Sequence, residues 1–132
     1  MGTRNVGGLP AVSSQQLLFI GRNLDFQSTA DQTLAKQFNG TQYVITSILA
    51  TRKSGAASVA CAGGVYTASA KGGSAIVAAV QSWVTLATGV LVPATIAITT
   101  SALTATPLFL SLTTGSTTAV TGDVFVFGNI LD

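Results

Sequence analysis

Apolar and polar residues along this chain follow the period of strands, either alternating or gathered into short runs. Leu17, Leu18, Phe19 and Ile20 form an apolar run closed by Gly21, which predicts a short strand buried on both faces. Residues 43–51 are rich in β-branched and aromatic side chains, with Tyr43, Ile45 and Leu49 on one alternate face and Val44 and Ile48 on the other. Two apolar faces predict an interior strand. Further on, Leu108, Leu110 and Leu112 share a face opposite Phe109, Ser111 and Thr113, and Val124, Val126 and Ile130 oppose Phe125 and Phe127.

Glycine, proline and polar clusters punctuate these runs. Asn39-Gly40 accepts positive φ and predicts a tight hairpin turn, a reading preferred over the formal Asn39-Gly40-Thr41 glycosylation match because nothing in the sequence suggests secretion. Arg52-Lys53-Ser54-Gly55, Lys71-Gly72-Gly73 and Gly115-Ser116 predict further turns. Residues 57–61 and 64–70 read as two short strands, or as one strand bent at Gly63-Gly64, and residues 84–92 and 96–99 as strands split by Pro93. Two segments fit either period. Residues 25–38 carry a capped-helix pattern as well as a strand pattern, and strand is preferred; in residues 74–83 Ala, Ile and Val fall at both helical and strand spacings. The sum is about eight short strands without βαβ alternation, which predicts an all-β fold, an antiparallel β-sandwich, as one domain over residues 17–132. Residues 1–16, with Gly7-Gly8, Pro10 and a polar Ser13-Ser14-Gln15-Gln16 stretch, predict an extended N-terminal arm.

Charge changes this picture in one respect. Only 8% of residues are charged against 48% hydrophobic, and mean hydropathy is +0.58, which suits a folding chain rather than a disordered one. The net charge of +2 comes from six scattered cations, of which only Arg52-Lys53 are adjacent, so no phosphate-tracking cluster exists and direct nucleic-acid binding is not expected. No charged residue lies between Lys71 and Asp123. Gln81, Ser82, Thr85, Gly89 and Pro93 interrupt the best apolar window there, so strands are predicted in place of a membrane span. A chain with so few solubilising residues is expected to meet neighbours through its outer faces.

Catalytic parts are scarce. There is no histidine or glutamate, and the four aspartates are Asp25, Asp31, Asp123 and Asp132. Most acid–base sites and metal cages therefore lack components, and neither an enzyme nor a cofactor is expected. The single Cys61 reads as a small buried hydrophobe. Lys71 between glycine pairs lacks the order of a phosphate loop, and Asp25 with Asp31 reads as turn chemistry rather than a carboxylate pair or calcium loop. Trp83, Tyr43 and Tyr66 are candidates for a sugar platform, with packing the preferred reading.

Five words occur in order: Asp25-Phe26-Gln27-Ser28-Thr29-Ala30-Asp31-Gln32, Gly63-Gly64-Val65-Tyr66-Thr67-Ala68, Ala70-Lys71-Gly72-Gly73, Leu108-Phe109-Leu110-Ser111-Leu112-Thr113-Thr114 and Asp123-Val124-Phe125-Val126-Phe127-Gly128. Over about residues 24–132 the chain resembles small virion proteins of tailed bacteriophages, in particular capsid decoration or cement proteins. The resemblance implies a jelly-roll-like β-sandwich, made in the host bacterial cytoplasm. It would bind the exterior of the virion capsid as a homotrimer or dimer, with the major capsid protein as partner and neither membrane nor nucleic acid involved. The family supplies no catalytic residues to carry over. A phage tail-fibre or baseplate β-domain binding a host surface glycan is the alternative. For the arm, Val6, Leu9, Pro10 and Val12 are the expected apolar anchors to a partner and Arg4 its charge.

Overall fold

The structure, a computed structural model, describes residues 15–132. The expected arm anchors Arg4, Val6, Leu9, Pro10 and Val12 lie outside the described residues. Eight strands follow in order: β1 (Gln16–Asp25), β2 (Gln32–Lys36), β3 (Tyr43–Gly55), β4 (Ala62–Ala68), β5 (Gly72–Val77), β6 (Val92–Pro93), β7 (Leu108–Thr114) and β8 (Val120–Ile130). All pair antiparallel in one hydrogen-bonded series, β5-β4-β7-β2-β1-β8-β3-β6, curled into a half-barrel. No helix occurs among the described residues.

Period-two patterning sets what the curl encloses. Leu108, Leu110 and Leu112 of β7, Val124 and Val126 of β8 and Tyr43, Ile45, Ile48 and Ala50 of β3 are all buried in one cluster. Phase is kept through a register shift between Ile45 and Ser47: one extra residue re-aims β3 so that Ile48 faces inward again. Phe19, Phe38 and Tyr43 meet edge to face with ring centroids 5.2–5.8 Å apart, and burial pushes the Tyr43 hydroxyl up to about 12.

Several connections differ from the sequence expectation. Asn39-Gly40 does not turn a hairpin, although Gly40 has φ +125°, because β2 and β3 are separated in the sheet by β1 and β8. Gly115-Ser116 likewise joins strands that do not pair: the connection passes over Phe26, whose carbonyl accepts the Ser116 N–H at 2.7 Å. Arg52–Gly55 is the end of β3 rather than a turn, paired with the start of β8. Residues 57–61 form no strand, and Gly63-Gly64 lies inside β4, just after a register shift against β7 between Ala62 and Gly63. The Lys71-Gly72-Gly73 turn is present, with Ala70, Lys71 and Gly73 at positive φ between β4 and β5. In the two ambiguous segments the structure has strand: β2 within residues 25–38, and the end of β5 within residues 74–83.

Asp132 ties the far end of the chain to the β2–β3 connection. Its carboxylate accepts the Thr41 hydroxyl at 2.5 Å and the Thr41 and Gln42 N–H groups at 3.1–3.2 Å, and the Thr41 hydroxyl is the first reason that its carboxyl is held below the ordinary value. A depressed folded value gives a contribution present above the unfolded value, which is lost as pH falls through the folded one. Amide signals of Thr41 and Gln42 followed from pH 6 downward are therefore expected to hold steady until below about pH 4 and then move together. Movement centred above that value would break the assignment.

Candidate docking surfaces

With the two-residue β6 set aside, the half-barrel ends in β5 on one side and β3 on the other, edges whose backbone groups need partners. Residues 78–103, which include the two-residue β6, close the gap as a strap. On one side Gly63 N–H donates to the Gln81 carbonyl and Trp83 N–H to the Cys61 carbonyl. On the other, Arg52 N–H donates to Ala87, Ala94 N–H to Ile48, and Tyr43 and Leu103 exchange both bonds. Between these the strap turns to β5, where Ala97 N–H donates to the Ile76 carbonyl at 2.8 Å. Residues 96–99 therefore form no assigned strand, because this stretch is stitched first to one edge and then to the other. Residues 84–92 also depart from the expected strand, turning back on themselves at Gly89 (φ +75°) through an Ala87–Val90 bridge.

The inward side of the strap completes the core. Trp83 is 2% exposed, its ring 5.8 Å from Phe26 and its Nε1–H donating to the Gly63 carbonyl at 3.1 Å; Leu86, Ala94, Ile96, Ile98 and Leu103 follow it inward. The outward side is the opposite in character. Val80 is 85% exposed and Val84, Val90 and Leu91 are also largely open. A groove of about 360 Å³ runs between Ala78, Val80, Gln81, Ser82, Thr95 and Ala97.

A second apolar surface lies on the convex side of β1, β8 and β3. Phe127 pairs with Leu17 and Ser47, and Phe125 with Ile20 and Leu49, all half-buried because each shields only its neighbours. Arg22 lies 5.8 Å from the centre of the Phe125 ring and 3.4 Å from the Asp123 carboxylate, which also accepts the N–H of Asn23 at 2.9 Å. At the edge of this surface the Gln15 side chain accepts a hydrogen bond from the Ser47 hydroxyl at 3.1 Å. Gln15, the first described residue, therefore lies on this face.

Reactive groups are dispersed among the described residues. No three acidic or cysteine side chains come together. Asp25 accepts the Gln27 N–H at 2.9 Å beside a second cavity of about 270 Å³, while Asp31 accepts the Ala70 N–H at 2.7 Å and pins the β4–β5 turn; that bond is the main reason its carboxyl sits below the ordinary value. The two carboxylates thus serve different connections. Burial pushes the Cys61 thiol up to about 11, which leaves little thiolate at neutral pH. Tyr43, Tyr66 and Trp83 are all buried, so a glycan platform draws no support from them. No helix of the described residues is long and apolar enough to cross a membrane. The two docking surfaces escaped the sequence reading as surfaces, although the uncharged run and the two-faced strands were their signals. Compared with protein-family models, with curated proteins and with solved structures, the chain matches none.

Proposed function

We propose that this chain is a structural virion protein that attaches to the outside of a bacteriophage capsid and bridges major capsid subunits, as decoration or cement proteins do. The observation that carries this reading is the half-buried Phe125 and Phe127 on the convex face, where Gln15 lies beside Ser47. Partly open aromatic side chains on an outer sheet face suit a contact with another protein. In this reading the two halves of the sheet, β5-β4-β7-β2 and β1-β8-β3-β6, face each other across the core as a jelly-roll-like sandwich. The convex face and the arm engage the shell, where Val6, Leu9, Pro10 and Val12 supply apolar contacts and Arg4 a charge. A shell opens at the seams between subunits, and several weak contacts made at once hold a seam through effective concentration.

The test adds the full-length protein, and a variant with Val6, Leu9 and Val12 replaced by serine, to shells assembled without it, and counts bound copies. Burying three such side chains contributes a few kcal/mol after ordering costs, at about 25 cal/mol per Å², so the variant is expected to lose at least about tenfold in affinity. Its melting temperature in isolation is expected to match the parent. Equal occupancy would remove the arm from the attachment, and no binding of the parent protein would end the reading.

A further inference from the structure

We infer that the outward side of the strap is the surface through which two copies of this chain associate, an assignment that rests on the structural reading above and supplies its oligomer contact. The first support is the distribution of charge. Residues 72–122 contain no charged side chain, and the strap holds most of the exposed residues of that run. Among the described residues the cations sit elsewhere: Arg22 and Lys36 on β1 and β2, Lys53 at the end of β3, Lys71 in the β4–β5 turn, with Arg52 at the rim, its side chain donating to Thr88 at 3.3 Å. Two copies with the same net charge of +2 repel through their charged sides and approach at least cost through a neutral one. An acidic partner would instead favour the basic sides.

Area and shape give the second support. Sixteen of the residues from 78 to 103 are exposed, close to the roughly 20–30 residues that each side of a standard interface contributes, and the rim of β3 can supply the remainder. Val80, Val84, Val90 and Leu91 concentrate on this one surface; among the described residues only Val59 and Leu131 are comparably exposed large hydrophobics elsewhere. The groove between Val80 and Thr95 gives the surface a concave part for side chains of the second copy. A two-fold pairing buries the same residues on both copies, so a single substitution acts twice.

Sedimentation of the full chain tests this without any shell, so its failure is separate from failure of capsid binding. The parent is expected to show a concentration-dependent dimer. Val80→Asp and, independently, Leu91→Asp are each expected to weaken it by at least about tenfold, because two carboxylates are carried into an apolar contact. Both side chains stand in solvent, so circular dichroism and Trp83 fluorescence should match the parent in the monomer. The arm variant with Val6, Leu9 and Val12 replaced by serine is expected to dimerise as the parent does. A parent that stays monomeric to about millimolar concentration, a dimer unaffected by either aspartate, or a dimer lost in the arm variant would each overturn the assignment. So would strap variants that dimerise normally yet fail to bind shells, since the strap would then face the capsid.

Discussion

Trp83→Ala is expected to cost about 3–5 kcal/mol, the range for removing a large aromatic side chain from a core. Trp83 is the first inward anchor of the strap and packs against Phe26, so its loss leaves a cavity where the strap meets β4. It also removes the donor to the Gly63 carbonyl. Trp83→Phe keeps most of the volume and loses mainly that bond, and is expected to cost about 1–3 kcal/mol. Urea denaturation of the two variants checks the ordering, with midpoints that fall while the slope stays the same. Hydrogen exchange locates the effect: the amides of Ala94 and Ala97, which stitch the strap to β3 and β5, should exchange faster in the alanine variant than those shared between β1 and β8. A loss below about 1 kcal/mol would mean that the strap does not complete the core.

The elements that were legible in the sequence are those whose neighbours lie on both sides. β3, β7 and β8 carry period-two patterns, interrupted in β3 by the extra residue after Ile45, because each is hydrogen-bonded to two strands and packs one face on the core. That pattern identifies a strand but not its partner. Asn39-Gly40 has the chemistry of a hairpin turn, yet β2 inserts between β1 and β7 and leaves β3 on the far side of β8. Tertiary pairing overrides local turn preference at that point. The turn at Lys71-Gly72-Gly73 was legible because the strands it joins are neighbours in the sheet and Gly73 takes positive φ where it stands, as Ala70 and Lys71 also do.

The strap shows a different limit. Its residues 92–98 alternate between half-buried and exposed, as a strand would, because both ends of the barrel gap demand one apolar side. The hydrogen bonds do not follow, since Ala94 serves β3 and Ala97 serves β5. Side-chain periodicity reports which side faces the core, and says nothing about which backbone receives each N–H. The outward apolar surfaces were hidden for a related reason. An outward Phe125 in a strand with two apolar faces looks like a buried residue in sequence, and it is half-open because none of the described residues forms a second layer over the outer face of β8.

Gly128→Ala is expected to be at least as damaging as the loss of Trp83, with more than about 3 kcal/mol lost or no folded protein recovered. Gly128 lies in β8, paired with Gln16 on one side and Ile45 on the other, and a Cβ there would fall on the carbonyl oxygen of Val44 and within 2.8 Å of a Leu18 methyl. Neither neighbour can yield cheaply: Val44 is backbone inside the longest strand pair, and Leu18 is fully buried. Relief would require β1 or β3 to move off β8, which costs hydrogen bonds on both sides of the strand. Gly89→Ala is the control. Gly89 has φ +75° with nothing within 4 Å of an added Cβ, so alanine meets only the cost of a left-handed backbone, about 1–2 kcal/mol. Each variant adds one methyl group, so the gap between their unfolding midpoints reports the clash at residue 128 less the backbone cost at residue 89. A Gly128→Ala protein as stable as Gly89→Ala would show that β8 does not sit as tightly between β1 and β3 as its pairing requires.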